Sequence, residues 1–164
     1  EGIIKALPKL SPEARNLITI ENDEWSHGLE KSLELEKHLA LVLDIHHHWI
    51  KDEEYMDPND DRVKRVIDSW RGVRPSMHYS YSRDEHLAVA GLGDSTHTEM
   101  HNIKDLLDRG CKKQKLRAHS DLLPNTKVND WALSFSDDFD IQVEAKGKNM
   151  ASEQLYRQRE KISS

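Results

Sequence analysis

Four short strand-like segments of this chain each end in a carboxylic acid or a histidine. The segments are Leu17-Ile-Thr-Ile-Glu21, Leu41-Val-Leu-Asp44 followed by His46-His47-His48, Ser76-Met-His78 and Asp140-Ile-Gln-Val-Glu144. Carboxylates and imidazoles gathered at the ends of neighbouring strands are the ligands that a divalent metal ion requires. The pattern therefore predicts one metal-binding face, built from residues that lie far apart in the chain.

The segments between these strands have the length and apolar spacing of helices. Strands are predicted at about 16–20, 40–45, 76–81 and 139–145. Helices are predicted within 2–15, from Leu29 to Leu39, after the turn at 57–61, near 98–109, over 126–134 and around 149–161. Strands that alternate with helices indicate parallel βα units and an α/β fold.

Alternation along each strand separates a polar face from an apolar one, because successive side chains point to opposite sides. The polar faces carry Thr19 and Glu21, then Asp44, then Ser76, His78 and Ser80, and then Asp140, Gln142 and Glu144. An ordinary sheet with one wet side would show the same alternation. Ligands at the carboxyl ends of parallel strands favour a TIM-type barrel, where that end carries the active site.

The length and composition of the chain indicate its number of domains and its cellular environment. The 164 residues fit a single domain over 1–164, and no apolar run approaches the roughly 18 residues that span a bilayer, so we expect no membrane contact. Cys111 is the single cysteine, which excludes an internal disulfide and favours a reducing, cytoplasmic compartment.

Charge gives mixed evidence about a nucleic-acid partner. The formal net charge of −6 argues weakly against one, although bound metals would add local positive charge. The chain also holds a basic stretch made of Lys104, Arg109, Lys112, Lys113, Lys115 and Arg117. This stretch is either a solvated helix end or a patch that faces phosphates.

Five motifs in order resemble a known family. They are Glu21-Asn22-Asp23-Glu24, Leu43-Asp44-Ile45-His46-His47-His48, Arg74-Pro75-Ser76-Met77-His78-Tyr79-Ser80, Ala118-His119-Ser120-Asp121 and Val143-Glu144-Ala145-Lys146. Their order is similar to that of the UV damage endonucleases. Those enzymes are TIM barrels related to the endonuclease IV type of abasic-site nuclease; they carry up to three divalent metals and nick double-stranded DNA 5′ to a lesion. The resemblance spans almost the whole chain.

The resemblance also implies roles for individual residues. Glu21 would bridge two metals, Asp44, His78 and Glu144 would complete the shell of the central metal, and His47 and His119 would hold a third. Glu21, Asp44 and Glu144 would be the catalytic carboxylates. His46 and His48 would be neighbours of the site, with a one-residue slip among the three histidines left open. Manganese is the first choice of metal, with zinc or magnesium as alternatives.

If the chain acts on DNA, two sets of residues are candidates for contact with it. Lys112, Lys113, Lys115 and Arg117 would contact the backbone. Trp49, Tyr79 and Tyr81 would either stack on a displaced base or pack in the core.

The chain departs from the family in two ways. Ser76 stands where the family often has a modified lysine, and the family's upstream strands have no counterpart before Glu21. A TIM barrel needs about 250 residues and eight strands. We therefore expect about four strands, the C-terminal half of such a barrel, with open sheet edges that lead either to self-association or to marginal stability of the chain alone. A strand within 82–118, giving a smaller non-barrel sheet, is the alternative.

Two other functions remain open from the sequence. A metal-dependent sugar isomerase of the xylose isomerase kind would also place Glu, Asp and His around metals in a barrel. The chain by itself could instead be a catalytically inactive fragment that binds metal weakly. The histidine triplet and His119-Ser120-Asp121 favour the nuclease.

Overall fold

A four-stranded parallel sheet forms the centre of the computed structural model, which describes residues 2–92 and 98–162. The strands are β1 (Thr19–Glu21), β2 (Ala40–Asp44), β3 (Ser76–Tyr79) and β4 (Asp140–Val143). They lie side by side in the order of the sequence, and each neighbouring pair is parallel. The carboxyl ends of all four strands therefore lie at the same edge of the sheet, as the alternation of strands and helices predicts.

Helices fill the connections between the strands. They are α1 (Gly2–Ala6), α2 (Pro12–Asn16), α3 (Leu29–Leu33), α4 (Ile45–Asp52), α5 (Asp61–Ser69), α6 (Asp84–Leu87), α7 (Ile103–Asp108), α8 (Lys113–Leu116), α9 (Thr126–Leu133) and α10 (Asn149–Ile162), with 3-10 turns at Leu7–Lys9 and Ala88–Ala90. Within the described ranges, none of them has the length and apolar character needed to cross a bilayer.

The apolar face of the sheet packs under these helices. Leu41, Leu43, Met77 and Tyr79 are each at most 1% exposed, whereas the polar residues between Ser76 and Tyr79 and along β4 are half-buried or exposed. The predicted division of faces is therefore confirmed for β3, whereas in β2 both faces are buried, with Val42 8% and Asp44 0% exposed. The free energy of folding comes mainly from this buried layer, because removal of apolar surface from water is the dominant favourable contribution.

The junction between β2 and α4 differs from the prediction. The strand was expected to continue to residue 45, but α4 begins at Ile45 with no intervening loop. The side chain of Asp44 accepts a hydrogen bond from the backbone N–H of His47, which caps the first turn of the helix. The local capping bond ends the strand one residue early and places the histidine triplet on a helix.

Two other expectations about the connections need correction. The helix predicted from Leu29 to Leu39 ends at Leu33, and turns carry the chain on to β2. The region 82–118 supplies no fifth strand in its described part: Ser82 and His119 form only an isolated antiparallel bridge. Residues 93–97 of that region lie outside the described residues. The alternative of a smaller non-barrel sheet is therefore not supported.

Arg74, from the third motif, holds the far end of the sheet together. Its guanidinium donates to Asp140 Oδ1 at 2.7 Å and to the backbone carbonyls of Ser136, Asp137 and Phe139 at 2.8–2.9 Å. These bonds fix the loop that leads from α9 into β4. This arginine therefore stabilises the fold and lies at the amino ends of the strands.

Candidate metal centre

Four side chains converge at the carboxyl edge of the sheet. Glu21 ends β1, Asp44 ends β2, His78 lies in β3 and Glu144 follows β4; each offers a ligand atom, and these atoms all lie within 4.8 Å of one another. Two ligands on opposite sides of an ion at about 2.1 Å would be roughly 4.2 Å apart. The four residues therefore match a single cation with only small adjustments of their side chains.

Strand register produces this convergence. Asp44 lies opposite His78, and His78 lies opposite Gln142, two residues before Glu144. Glu21 lies opposite Val42, which shares its face with Asp44. Because side chains alternate with a period of two, all four ligands fall on the same side of the sheet.

Asn22 fixes the backbone of Asp44. Its side-chain amide donates to the carbonyl of Asp44 at 2.8 Å and accepts from the N–H of Asp44 at 2.9 Å. Asn22 is completely buried, so both bonds are sheltered from water. This side chain extends the pairing of β1 and β2 by one step and holds the carboxylate of Asp44 at the edge of the sheet.

The two carboxylate oxygens of Asp44 differ in their hydrogen bonding. Oδ1 caps α4, while Oδ2 is buried and has no hydrogen-bond partner among the described residues. Nδ1 of His78 is also buried without a hydrogen bond there, although it lies 3.2 Å from Oε1 of Glu21. Buried polar atoms are nearly always paired, and an unpaired one marks strain, catalysis or an ion. Both atoms belong to the cluster of four, so its donor set fits a divalent metal.

The histidine triplet points in three directions because it lies on the first turn of α4. His47 faces the cluster, with Nδ1 3.4 Å from Glu21 and 3.5 Å from Asp44. That nitrogen also lies 3.0 Å from the carbonyl of Asn22, which can only accept, so Nδ1 donates to it and Nε2 is the nitrogen that could bind a metal once it has lost its proton.

The other two histidines of the triplet are engaged elsewhere. His46 is buried between the hydroxyls of Ser80 and Ser82 at 2.8 and 3.0 Å. His48 lies 2.9 Å from Asp52 and 3.0 Å from Glu54. Of the three histidines only His47 contacts the acids of the cluster, so it stays the predicted metal ligand of the triplet.

The proposed third-metal pair is only partly assembled. His47 contacts the cluster but is not one of the four converging residues, and the half-buried His119 lies with its ring 6.1 Å from that of His46. Glu24 adds a carboxylate that the sequence gave no role: it is 9% exposed, and its Oε2 lies 3.4 Å from Nε2 of His47. Its position within the Glu21-Asn22-Asp23-Glu24 motif was the available signal.

Protons are distributed unevenly over the cluster. Complete burial raises the pKa of Asp44, and the negative charge of Glu21 adds to this rise although His47 opposes it. Burial also raises the pKa of Glu21, but contacts with His47 and His78 outweigh it and hold that pKa far below its ordinary value. Glu21 is therefore the charged carboxylate of the pair at neutral pH.

The histidines respond to the same charges. Burial lowers the pKa of His47, but contacts with Glu21 and Asp44 outweigh this effect and raise the pKa to about 9. Contact with Glu21 raises the pKa of His78, whereas burial lowers the pKa of His119. His47 and His78 thus retain protons that a metal ion must displace.

The aromatic and basic residues predicted to contact DNA occupy different environments. Trp49, Tyr79 and Tyr81 are at most 5% exposed, so the core-packing interpretation is correct and base stacking is excluded for them. Among the basic residues, Lys113 forms an ion pair with Glu53 at 2.7 Å and Arg117 with Glu24 at 3.0 Å. Lys112 and Lys115 are exposed and have no ion pair to any described residue.

Comparisons with known proteins identify the family. A family model described as UV-endonuclease UvdE matches residues 1–164. The chain belongs to this family. The crystal structure of SacUVDE matches with a TM-score of 0.64 and 18% sequence identity, over 98% of this chain and 45% of that chain. No curated protein gives a significant match.

Membership of the UV-endonuclease family confirms the resemblance drawn from the five motifs. Four consecutive parallel βα units are the arrangement of a partial TIM-type barrel, and the likeness to SacUVDE shows the same fold. The chain spans less than half the length of that solved structure. The family match gives no support to the alternative of a sugar isomerase.

Metal affinity of the cluster should rise with pH. A metal binds only the neutral imidazole, so each ion bound by His47 or His78 must release a proton, and the pKa of His47 is raised to about 9. We expect the Kd for Mn²⁺, measured by chelator competition, to fall steadily as the pH approaches that value. Calorimetry in two buffers of different ionisation enthalpy should detect the released protons. The exposed His38→Gln variant is the control, and a pH-independent Kd without proton release would contradict the assignment.

Proposed function

We propose that this chain carries the metal-binding portion of a DNA repair endonuclease that nicks the backbone of double-stranded DNA 5′ to UV lesions. The observation that supports this most strongly is the convergence of Glu21, Asp44, His78 and Glu144 in a chain of the UV-endonuclease family. The hard oxygen and imidazole donors favour manganese, with zinc or magnesium as alternatives.

The residues of the chain prepare this chemistry. Divalent cations bound here would acidify water and neutralise charge on phosphoryl oxygens. Glu21, the charged carboxylate between His47 and His78, would be the carboxylate shared by two cations. Asn22 and the cap of α4 orient Asp44, and the carbonyl of Asn22 sets the tautomer of His47. Such outer contacts orient metal ligands and tune their affinity.

Replacement of Glu21 by Gln should abolish nicking of UV-irradiated plasmid. The substitution keeps the size of the side chain but removes the charge that compensates both histidines, and we expect a loss larger than the roughly 10–100-fold that outer contacts cause. Nicking is measured with Mn²⁺, Zn²⁺ and Mg²⁺ in turn, together with the metal content of the protein.

The matched control for this substitution is Glu153→Gln, an exposed acid on α10 that pairs with Arg157. Full activity of Glu21→Gln would remove the bridging role. A wild-type chain that nicks no irradiated DNA with any of the three metals would instead identify it as an inactive fragment.

The exposed part of the basic stretch is proposed to contact the DNA backbone. Lys112 and Lys115 lie at and on α8, without an ion pair to the described residues, so their charges are available to phosphates. Lys113 and Arg117 already neutralise Glu53 and Glu24, and we assign them a smaller share of the backbone contact.

Removal of Lys112 and Lys115 together should weaken DNA binding and reduce its dependence on salt. Each lost phosphate contact lowers the slope of log K against log salt by about 0.9. Fluorescence anisotropy with a labelled duplex over a series of salt concentrations measures this slope. The control is the charge-matched variant Lys127→Ala/Lys161→Ala on α9 and α10. An unchanged slope in the Lys112/Lys115 variant would exclude them as phosphate contacts.

We also propose that residues 1–164 act as a single domain in a reducing, cytoplasmic location, to which the free Cys111 is suited.

Among the described residues β1 pairs only with β2 and β4 only with β3, so both outer strands present unpaired backbone groups. Such edges pair readily with other strands. We expect the 164-residue chain to self-associate, and sedimentation velocity over a range of concentrations should show a rising mass. A constant mass of one chain would contradict this.

A further inference from the structure

Trp25 is an exposed tryptophan on a rigid support. Trp25 is 51% exposed, but its backbone is fixed by hydrogen bonds with two other side chains. Asp23 accepts hydrogen bonds from the N–H groups of Trp25, Ser26 and His27 at 2.5–3.0 Å, and Nζ of Lys51 donates to the carbonyl of Trp25 at 2.6 Å. These bonds fix the backbone from which the indole projects.

Arg117 covers one side of this indole. The carbon of its guanidinium lies 5.9 Å from the centroid of the Trp25 ring, within the range of a cation–π contact. Its Nε lies 3.0 Å from Oε1 of Glu24 in an ion pair, whereas its two terminal nitrogens have no partner among the described residues. The guanidinium is thus anchored at one atom and keeps donors available at its outer end.

The pair is connected directly to the metal cluster. Oε2 of Glu24 lies 3.4 Å from His47, and His47 lies 3.4 Å from Glu21. A ligand on Trp25 and Arg117 would therefore lie two side chains away from the converging acids. The neighbouring exposed residues Ser26 and His27 are polar, so the indole does not belong to an apolar docking groove.

We propose that Trp25 and Arg117 form a stacking platform for a nucleobase that is unpaired or displaced from the duplex beside the metal centre. An exposed, rigid indole next to an arginine matches the surfaces on which proteins stack bases, since every base presents a π face. Trp49, Tyr79 and Tyr81, the aromatic residues considered from the sequence, are buried, whereas Trp25 is exposed beside the metal cluster. The inference rests on the proposed action on DNA and adds the contact that holds the base.

The test measures binding without hydrolysis, in the presence of a chelator. The probes are a short duplex with two central unpaired thymines and the same duplex fully paired. Wild-type protein should bind the first probe more tightly, and its tryptophan fluorescence should be quenched, because the other three tryptophans are buried or half-buried and Trp25 is exposed.

Four variants make the test specific. Trp25→Ala should lose about 5- to 150-fold in affinity for the duplex with unpaired thymines, together with the quenching. Trp25→Phe should keep most of the affinity, since it keeps an aromatic face. Arg117→Lys should weaken binding because an ammonium does not stack as a guanidinium does. Tyr156→Ala removes an exposed aromatic residue on α10 and should change nothing.

Two results would overturn the platform: wild-type affinity in a folded Trp25→Ala variant, or no quenching of the wild type at saturating DNA. Nicking with metal is measured separately. Loss of affinity in Trp25→Ala supports the platform even if no metal supports nicking, so failure of the proposed function and failure of the platform remain distinct.

Discussion

The fully buried carboxylate of Asp44 is the constraint on which the active face depends. One of its oxygens caps α4 and the other has no hydrogen-bond partner among the described residues. A buried, unpaired carboxylate oxygen is costly unless a proton or a cation compensates it. The unpaired oxygen of Asp44 lies among the side chains of three other candidate ligands. A divalent cation bound there would compensate the cost of its burial.

The surroundings of Asp44 are arranged to keep that carboxylate in place. The side chain of Asn22 is hydrogen-bonded to the backbone of Asp44, and His78 of β3 lies opposite Asp44. Because β2 continues directly into α4, no loop lies between them that would let the carboxylate of Asp44 move. The same passage turns His47 towards the cluster and His46 and His48 away from it. One strand-to-helix junction therefore sets both the position of Asp44 in the cluster and which of the three histidines faces it.

Glu24 connects the metal centre with the surface that we assign to DNA. It lies between His47 and Arg117, so the charge that helps to orient a candidate ligand also anchors the guanidinium above Trp25. Asp23 stabilises the turn that carries Glu24 and Trp25. Burial alone would raise the pKa of Asp23, but the backbone N–H groups that it accepts from hold that pKa well below its ordinary value. The turn should therefore keep its shape over the whole physiological pH range.

Sequence alone predicted the strands and their parallel order, and it singled out Glu21, Asp44, His78 and Glu144 as candidate ligands, because period-two alternation and ligand chemistry are local properties that the residues carry with them. Tertiary structure decided what depends on contacts between distant segments. Examples are the capping bond that starts α4 at Ile45, the orientation of each histidine in the triplet, the insertion of Glu24 between His47 and Arg117, and the burial of Trp49, Tyr79 and Tyr81 while Trp25 stays exposed. Burial and long-range pairing are set by packing, which no window of neighbouring residues contains.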